Sequence, residues 1–183
     1  MEIKELKNIK YGPHERNVMD AYLLGIKDKP APAVLFMHGG GYLHGDKSAV
    51  QGTALMKECL EAGFSVLSAN YRFISTDPFP APMLDGTRAI QFVRYMAEEW
   101  HLDPNRIATS GSSAGGHIML WNALKGDQAK PDSEDPVERQ SSAVSAFVGF
   151  GTQVSKDQRF YQGIYEGPHI QPNLLLFYGL KSL

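Results

Sequence analysis

The feature that most constrains the fold of this chain is residues 111–115, Gly-Ser-Ser-Ala-Gly, a serine at the centre of a Gly-x-Ser-x-Gly pattern. Residues 106–110 before it favour a short buried strand, and residues 117–121 after it favour a helix. A tight turn from strand to helix strains the backbone of Ser113, so the flanking positions must lack side chains. The setting predicts a nucleophile elbow, which lifts the Ser113 hydroxyl above the sheet edge and aims the positive end of the helix at the group it attacks.

A second glycine pattern lies upstream of this turn. The apolar residues 33–37 favour a buried strand that leads directly into residues 38–42, His-Gly-Gly-Gly-Tyr. Consecutive glycines let backbone N–H groups approach a substrate oxygen with no Cβ atoms in the way. A flexible linker would not follow an apolar strand directly, so we interpret this loop as the second half of an oxyanion hole.

Four stretches carry a resemblance to a known family: HGGGYLHGDKS (38–48), SANYRF (68–73), FPAPMLDGTRAIQFVR (79–94) and DPNRIATSGSSAGGH (103–117). On these stretches the sequence resembles the hormone-sensitive-lipase-like esterases of the α/β-hydrolase superfamily. The resemblance implies a serine hydrolase of carboxylic esters, with Ser113 as nucleophile and with no cofactor and no metal. It also implies that the N–H groups of Gly40 and Gly41 complete the oxyanion hole, beside that of Ala114 next to the nucleophile.

Strands alternate with helices along the chain, which predicts βαβ units and an α/β class fold with a mostly parallel sheet flanked by helices. Residues 8–12 and 17–26 favour an antiparallel pair of strands, and residues 152–183 have only a weak amphipathic pattern that we leave unassigned. The other predicted elements are strands at 33–37, 64–69, 106–110 and 143–149 and helices at about 48–62 and 83–96.

Composition fits one globular domain over residues 1–183, because 43% of the residues are hydrophobic and 21% are charged. A net charge of −2 offers no electrostatic case for nucleic acid. No apolar run reaches the length of a membrane span, and the first residues lack the apolar core of a signal peptide. We therefore expect a cytoplasmic protein, and the resemblance to the esterases implies a small-molecule ester as its partner.

Several residues near the two motifs have alternative interpretations. Tyr42 either lines a substrate pocket or stands exposed on the loop, and His38 is expected to fix that loop by hydrogen bonds. His117 starts on a helix that leaves the site, so a structural role is expected. The helix dipole suffices to explain Asp85 near a helix N-terminus.

Two other functions for the glycine loop are weaker. Its Gly-rich stretch before Lys47 resembles a phosphate-binding loop, but Asp46 intrudes with a charge that would repel phosphate. His38 and His44 suggest a metal, but no carboxylate or cysteine ligand accompanies them.

Ser113 also needs a base and an orienting acid, which follow the nucleophile in this superfamily in the order Asp or Glu, then His. Asp157 with His169 is the candidate Asp–His pair after the strand at 143–149, and the eleven residues between them are too few for the helix and strand expected there. We therefore expect that the sequence lacks a C-terminal segment of the fold, including its last strands. The strand at 143–149 would then be an exposed edge, open to pairing with a second copy. The alternative function is a hydrolase-fold module that binds a ligand or protein without catalysis.

Overall fold

The sheet at the centre of the protein contains parallel and antiparallel neighbours. The computed structural model describes residues 2–25 and 29–155, in which six strands lie in the order β1-β2-β4-β3-β5-β6. Strands β3 to β6 run parallel, and β2 is antiparallel to both β1 and β4. The strands are β1 (Ile3–Lys10), β2 (Val18–Leu24), β3 (Ala31–Met37), β4 (Ser65–Ala69), β5 (Leu102–Ser112) and β6 (Ala146–Phe150).

Three α-helices flank this sheet within the described ranges: α1 (Ala54–Glu61), α2 (Ala81–Tyr95) and α3 (Ser113–Lys125). The main core joins Leu35 and Met37 of β3 to apolar residues of α2 and α3. A smaller cluster on the other face joins Phe36 to Leu60 of α1. Successive side chains of a strand point to opposite faces, so a strand covered on both sides must be apolar throughout, as residues 33–37 are. The predicted α/β class and mostly parallel sheet are confirmed.

The boundaries of several elements differ from the sequence prediction. Strand β1 begins at Ile3, whereas the sequence prediction began at residue 8. The prediction missed the first part of the strand because that part is mostly exposed and has no apolar run. The helix expected over 48–62 is divided into a 3-10 turn (Lys47–Val50) and α1. Gly52 separates them with a φ of +70°, and Thr53 caps α1 by accepting a hydrogen bond from the N–H of Met56 at 3.2 Å.

Strand β6 lies at the edge of the sheet in the described part of the chain. It begins at Ala146 rather than at 143, because the guanidinium of Arg94 binds the carbonyl oxygens of Ser141 and Ala143 and holds that segment apart from the ladder. Val148 and Phe150 are 55% and 48% exposed. Among the described helices, none combines the length and the apolar character that crossing a bilayer requires.

Candidate active site

The two glycine motifs leave the sheet at the same edge. Strands β3 and β5 are parallel neighbours, and Met37, the last residue of β3, pairs with Gly111 near the end of β5. Carboxyl ends of parallel strands share one edge of the sheet, so the loop after Met37 and the turn at Ser113 are brought together by the topology. The glycine pattern of each motif then decides how closely the two approach.

The turn between β5 and α3 has the strained backbone that the sequence predicts. Ser113 has a φ of +49°, a left-handed conformation that costs a non-glycine residue about 1–2 kcal/mol. A Cβ atom on Gly111 would lie 2.5 Å from the carbonyl carbon of Gly115, and one on Gly115 would lie 2.5 Å from the carbonyl carbon of Met37. Both glycines are therefore required by close backbone approach.

The glycine loop packs against Ser113. A Cβ atom on Gly39 would lie 3.4 Å from the Cβ of Ser113 and 3.2 Å from the carbonyl oxygen of Ser112. Ser113 is half-buried, and its hydroxyl has no hydrogen-bond partner in the part of the chain that the structure describes. The backbone of the loop and the side chain of Ser113 thus lie within one small region of space.

Backbone donors are available on both sides of Ser113. The N–H of Gly40 makes no hydrogen bond to another described residue, whereas its carbonyl oxygen accepts from the N–H groups of Leu43 and His44 at 3.0 and 3.2 Å. Ala114 lies in the first turn of α3, where N–H groups have no partner within the helix. Gly40 and Gly41 have φ values of +123° and +60°, which favour glycine. That Gly40, Gly41 and Ala114 donate to an oxyanion stays a prediction.

Downstream, the glycine loop is fixed by Asp46 and Lys47. Partial burial opposes ionisation of Asp46, but hydrogen bonds from Ser48 and Asn70 outweigh it and hold the pKa of that carboxyl well below its usual range. The Lys47 side chain is buried, and its Nζ lies 3.5 Å from Oδ1 of Asp20. A lysine held in this ion pair anchors the loop to β2 rather than facing a phosphate group.

Upstream, the loop begins at a buried histidine. The Nδ1 of His38 donates to the carbonyl oxygen of Gly39 at 2.7 Å, and the ring stacks on Tyr71 at 4.5 Å between centroids. Burial, with a contribution from the charge of Arg16, lowers the pKa of His38 to about 4, although the hydrogen bond to Gly39 and the charge of Asp46 oppose the shift. His38 is therefore neutral at neutral pH and fixes the loop by hydrogen bonding, as predicted.

Tyr42 is completely buried, so it is not an exposed loop aromatic. Its hydroxyl lies 2.5 Å from Nδ1 of His117, and its backbone has a φ of +66°. The contact ties the glycine loop to the second turn of α3 and gives His117 a structural partner. The sequence did not indicate this pairing, because the two residues lie 75 positions apart. That Tyr42 lines a substrate pocket stays a prediction.

Two other expectations have different outcomes. Asp85 has a specific partner that the helix-dipole interpretation missed. Its carboxylate accepts hydrogen bonds from the Nε and the Nη2 of Arg72, at 3.0 and 2.8 Å. The pair fastens the start of α2 to the segment after β4. Asp157 and His169, weighed as the acid and base, lie outside the described residues.

A family model described as BD-FAE matches residues 19–155 of the chain, a span that contains both glycine motifs and the strands that position them. The chain belongs to the BD-FAE family. This membership confirms the resemblance to esterases of the α/β-hydrolase superfamily.

The curated relatives of this BD-FAE chain include proteins named as ester hydrolases. Esterase LipC of Mycobacterium tuberculosis is 31% identical over 144 residues, which make up 78% of this chain and 35% of LipC. Isoprenylcysteine alpha-carbonyl methylesterase ICME of Arabidopsis thaliana is 30% identical over 143 residues, which make up 78% of this chain and 33% of ICME. The chain therefore spans about a third of the length of the curated relatives that it matches.

Solved structures support the same fold. An acetyl ester-xyloside bifunctional hydrolase from Caldicellulosiruptor lactoaceticus aligns with a TM-score of 0.69 and 30% identity, covering 87% of this chain and 59% of that one. The thermophilic esterase Est2 of Thermogutta terrifontis aligns with a TM-score of 0.67 over 98% of this chain and 63% of that one. At 23% identity, the second likeness shows the fold alone. The predicted α/β-hydrolase fold of this BD-FAE chain is confirmed.

Proposed function

We propose that this BD-FAE chain carries the nucleophile and the oxyanion hole of a carboxylic ester hydrolase. The observation that carries the proposal is the left-handed backbone of Ser113, φ +49°, with Gly39 of the glycine loop packed against its Cβ. Strain of this kind persists only where the surrounding structure enforces it, and it occurs at sites of chemistry. The ester hydrolases among the relatives of the chain support the same reaction class.

In the proposed mechanism, the Oγ of Ser113 attacks the carbonyl carbon of a small-molecule ester. The carbonyl oxygen becomes an oxyanion, which accepts hydrogen bonds from the N–H groups of Gly40, Gly41 and Ala114. Each such donor stabilises the transition state by about 3 kcal/mol. The base of the triad takes the hydroxyl proton of Ser113 and gives it to the alcohol that leaves when the tetrahedral intermediate collapses. Water then hydrolyses the acyl-serine, which releases the carboxylic acid and restores the Ser113 hydroxyl.

Neither a cofactor nor a metal enters this mechanism. The cytoplasmic location, the single domain over 1–183 and the pairing of a second copy with the exposed sheet edge all rest on the sequence and stay predictions.

Labelling with a fluorophosphonate probe tests the proposal, because the probe phosphonylates an activated serine. We expect mass spectrometry of the protein expressed from its complete coding sequence to find the label on Ser113, because the probe reacts with a serine that a base activates. Hydrolysis of p-nitrophenyl acetate and longer p-nitrophenyl esters should fall by a factor on the order of 10³ or more in Ser113→Ala. Ser112→Ala is the matched control, since it deletes the neighbouring hydroxyl and should retain both signals.

Two results would contradict the proposal. One is equal labelling of the wild type and Ser113→Ala, which would place the reactive group elsewhere. The other is a folded wild-type protein, expressed from its complete coding sequence, that neither takes up the probe nor hydrolyses any of the esters. That outcome would favour the alternative function, a hydrolase-fold module that binds a ligand or a protein without catalysis.

A further inference from the structure

A single arginine in the β1–β2 connection contacts both ends of the glycine loop. The Nη2 of Arg16 donates to the carbonyl oxygen of Gly45 at 3.2 Å and faces Nε2 of His38 at 3.5 Å. Its Nε donates to the carbonyl oxygen of Tyr71 at 2.7 Å. With the glycine loop taken as residues 38–45, one guanidinium thus joins its first residue, its last residue and the segment after β4.

The side chain of Arg16 is held in place before it reaches the loop. Its Cζ lies 3.6 Å from the centroid of the Phe73 ring, a cation–π contact that orients the plane of the guanidinium. Within the same connection, the Oδ1 of Asn17 accepts from the N–H of His14 at 3.1 Å, and the hydroxyl of Tyr11 donates to the carbonyl oxygen of Asn70 at 2.6 Å. The connection is therefore fixed to the end of β4, and Arg16 acts from a rigid base.

The loop that Arg16 spans depends on restraint from outside. Gly40 and Gly45 have φ values of +123° and +110°, conformations that a free glycine exchanges readily for others. A Cβ atom on Gly45 would lie 2.6 Å from the carbonyl oxygen of Gly39, so the two ends of the loop are in close contact. Losing the bond to Gly45 would release the downstream end of this narrow loop.

We propose that Arg16 is a positioning residue that holds the glycine loop in the conformation from which Gly40 and Gly41 donate to the oxyanion. The proposal rests on the proposed function and adds a residue from the other end of the sheet to its machinery. Arg16 does not touch the substrate. A planar guanidinium can bridge carbonyl oxygens and a ring nitrogen at once, which the single ammonium group of a lysine cannot do.

Three variants test this role. Arg16→Ala should lower kcat for p-nitrophenyl acetate by about tenfold or more with little change in KM, because the oxyanion exists only in the transition state. Guanidinium chloride at millimolar concentration should restore part of that loss, whereas Arg16→Lys should remain impaired. Arg88→Ala is the matched control, since Arg88 also binds the β1–β2 connection, at the carbonyl oxygen of Tyr11, and should leave kcat unchanged.

A readout independent of activity separates this inference from the proposed function. Amide hydrogen exchange of peptides covering 38–45 should accelerate in Arg16→Ala and in Arg16→Lys but not in Arg88→Ala. Unchanged exchange in the loop, or a loss of thermal stability with wild-type kcat, would overturn the positioning role. If loop exchange is faster in Arg16→Ala than in the wild type but the wild type hydrolyses no ester, the result counts against the proposed function while the restraint of the loop by Arg16 stands.

Discussion

Replacing Gly115 by alanine sets two physical effects of opposite sign against each other. Gly115 lies in the first turn of α3, and alanine is favoured over glycine in a helix by about 1 kcal/mol. However, the added Cβ would lie 2.5 Å from the carbonyl carbon of Met37, whereas carbon atoms in contact rest at about 3.5–4.0 Å. Relief requires a relative shift of about 1 Å between the start of α3 and the end of β3.

The steric effect should win, because both sides of the clash are backbone. Forcing an extra methyl group into a packed site costs about 1–3 kcal/mol even where side chains can move. We expect Gly115→Ala to lower the free energy of unfolding by about 2 kcal/mol, seen as a lower midpoint of urea unfolding. The same shift moves Ser113 relative to the glycine loop, and a misplacement of about 1 Å can cost a factor of about 100 in rate. The rate of fluorophosphonate labelling should fall accordingly.

Gly63→Ala provides the control for this experiment. Gly63 has a φ of +88° with open space around its Cβ position, so alanine there meets strain but no clash. We expect a destabilisation of about 1 kcal/mol and an unchanged labelling rate. The reasoning is refuted if Gly115→Ala unfolds at a higher urea concentration than the wild type and is labelled at the same rate.

Three further substitutions test the packing around the site by urea unfolding. Burial and a nearby guanidinium lower the pKa of His38 to about 4, so protonation of the unfolded chain should remove up to about 3 kcal/mol of stability as the pH falls from about 6.5 to about 4. His38→Asn should flatten this decline and the exposed control His101→Asn should not; equal slopes would contradict the assignment. Asp85→Asn should cost about 3 kcal/mol by leaving Arg72 without its carboxylate, and adding Arg72→Met should recover part of it. Thr109→Val should raise the free energy of unfolding by about 1 kcal/mol, and the urea midpoint with it, since the buried hydroxyl has no partner among the described residues; a lower midpoint would reveal one.

The sequence was sufficient to predict the elbow, because its steric requirement is local. A side chain on Gly111, in β5, would collide with the first turn of α3, and one on Gly115, in α3, would collide with the end of β3. Both glycines lie within two residues of Ser113. The parallel strands were equally predictable from the sequence, since a strand covered on both faces must be apolar throughout. The boundaries of the elements were less predictable, as the division of the helix expected at 48–62 shows. Gly52 and Thr53 end one turn and cap the next within two residues.

Contacts between distant positions were not predictable from one sequence. Arg72 meets Asp85 across 13 positions, and Arg16 meets the carbonyl oxygen of Tyr71 across 55. No local pattern distinguishes these polar residues from solvated ones, because their partners are chosen by strand order. The dipole interpretation of Asp85 failed for this reason, since it used the one electrostatic feature that the sequence displays.

The long-range contacts also decide what the antiparallel hairpin contributes to the site. Strands β1 and β2 lie at the edge of the sheet far in sequence from Ser113, and on pattern alone they only widen the sheet. Yet β2 supplies Asp20, which pairs with Lys47 below the glycine loop, and the β1–β2 connection supplies Arg16, which contacts the loop at both ends. The glycines allow the loop to adopt its conformation, but glycine also allows many other conformations at similar energy. Selection of one among them must come from groups outside the loop, and the hairpin provides two charged groups that do so, Asp20 and Arg16.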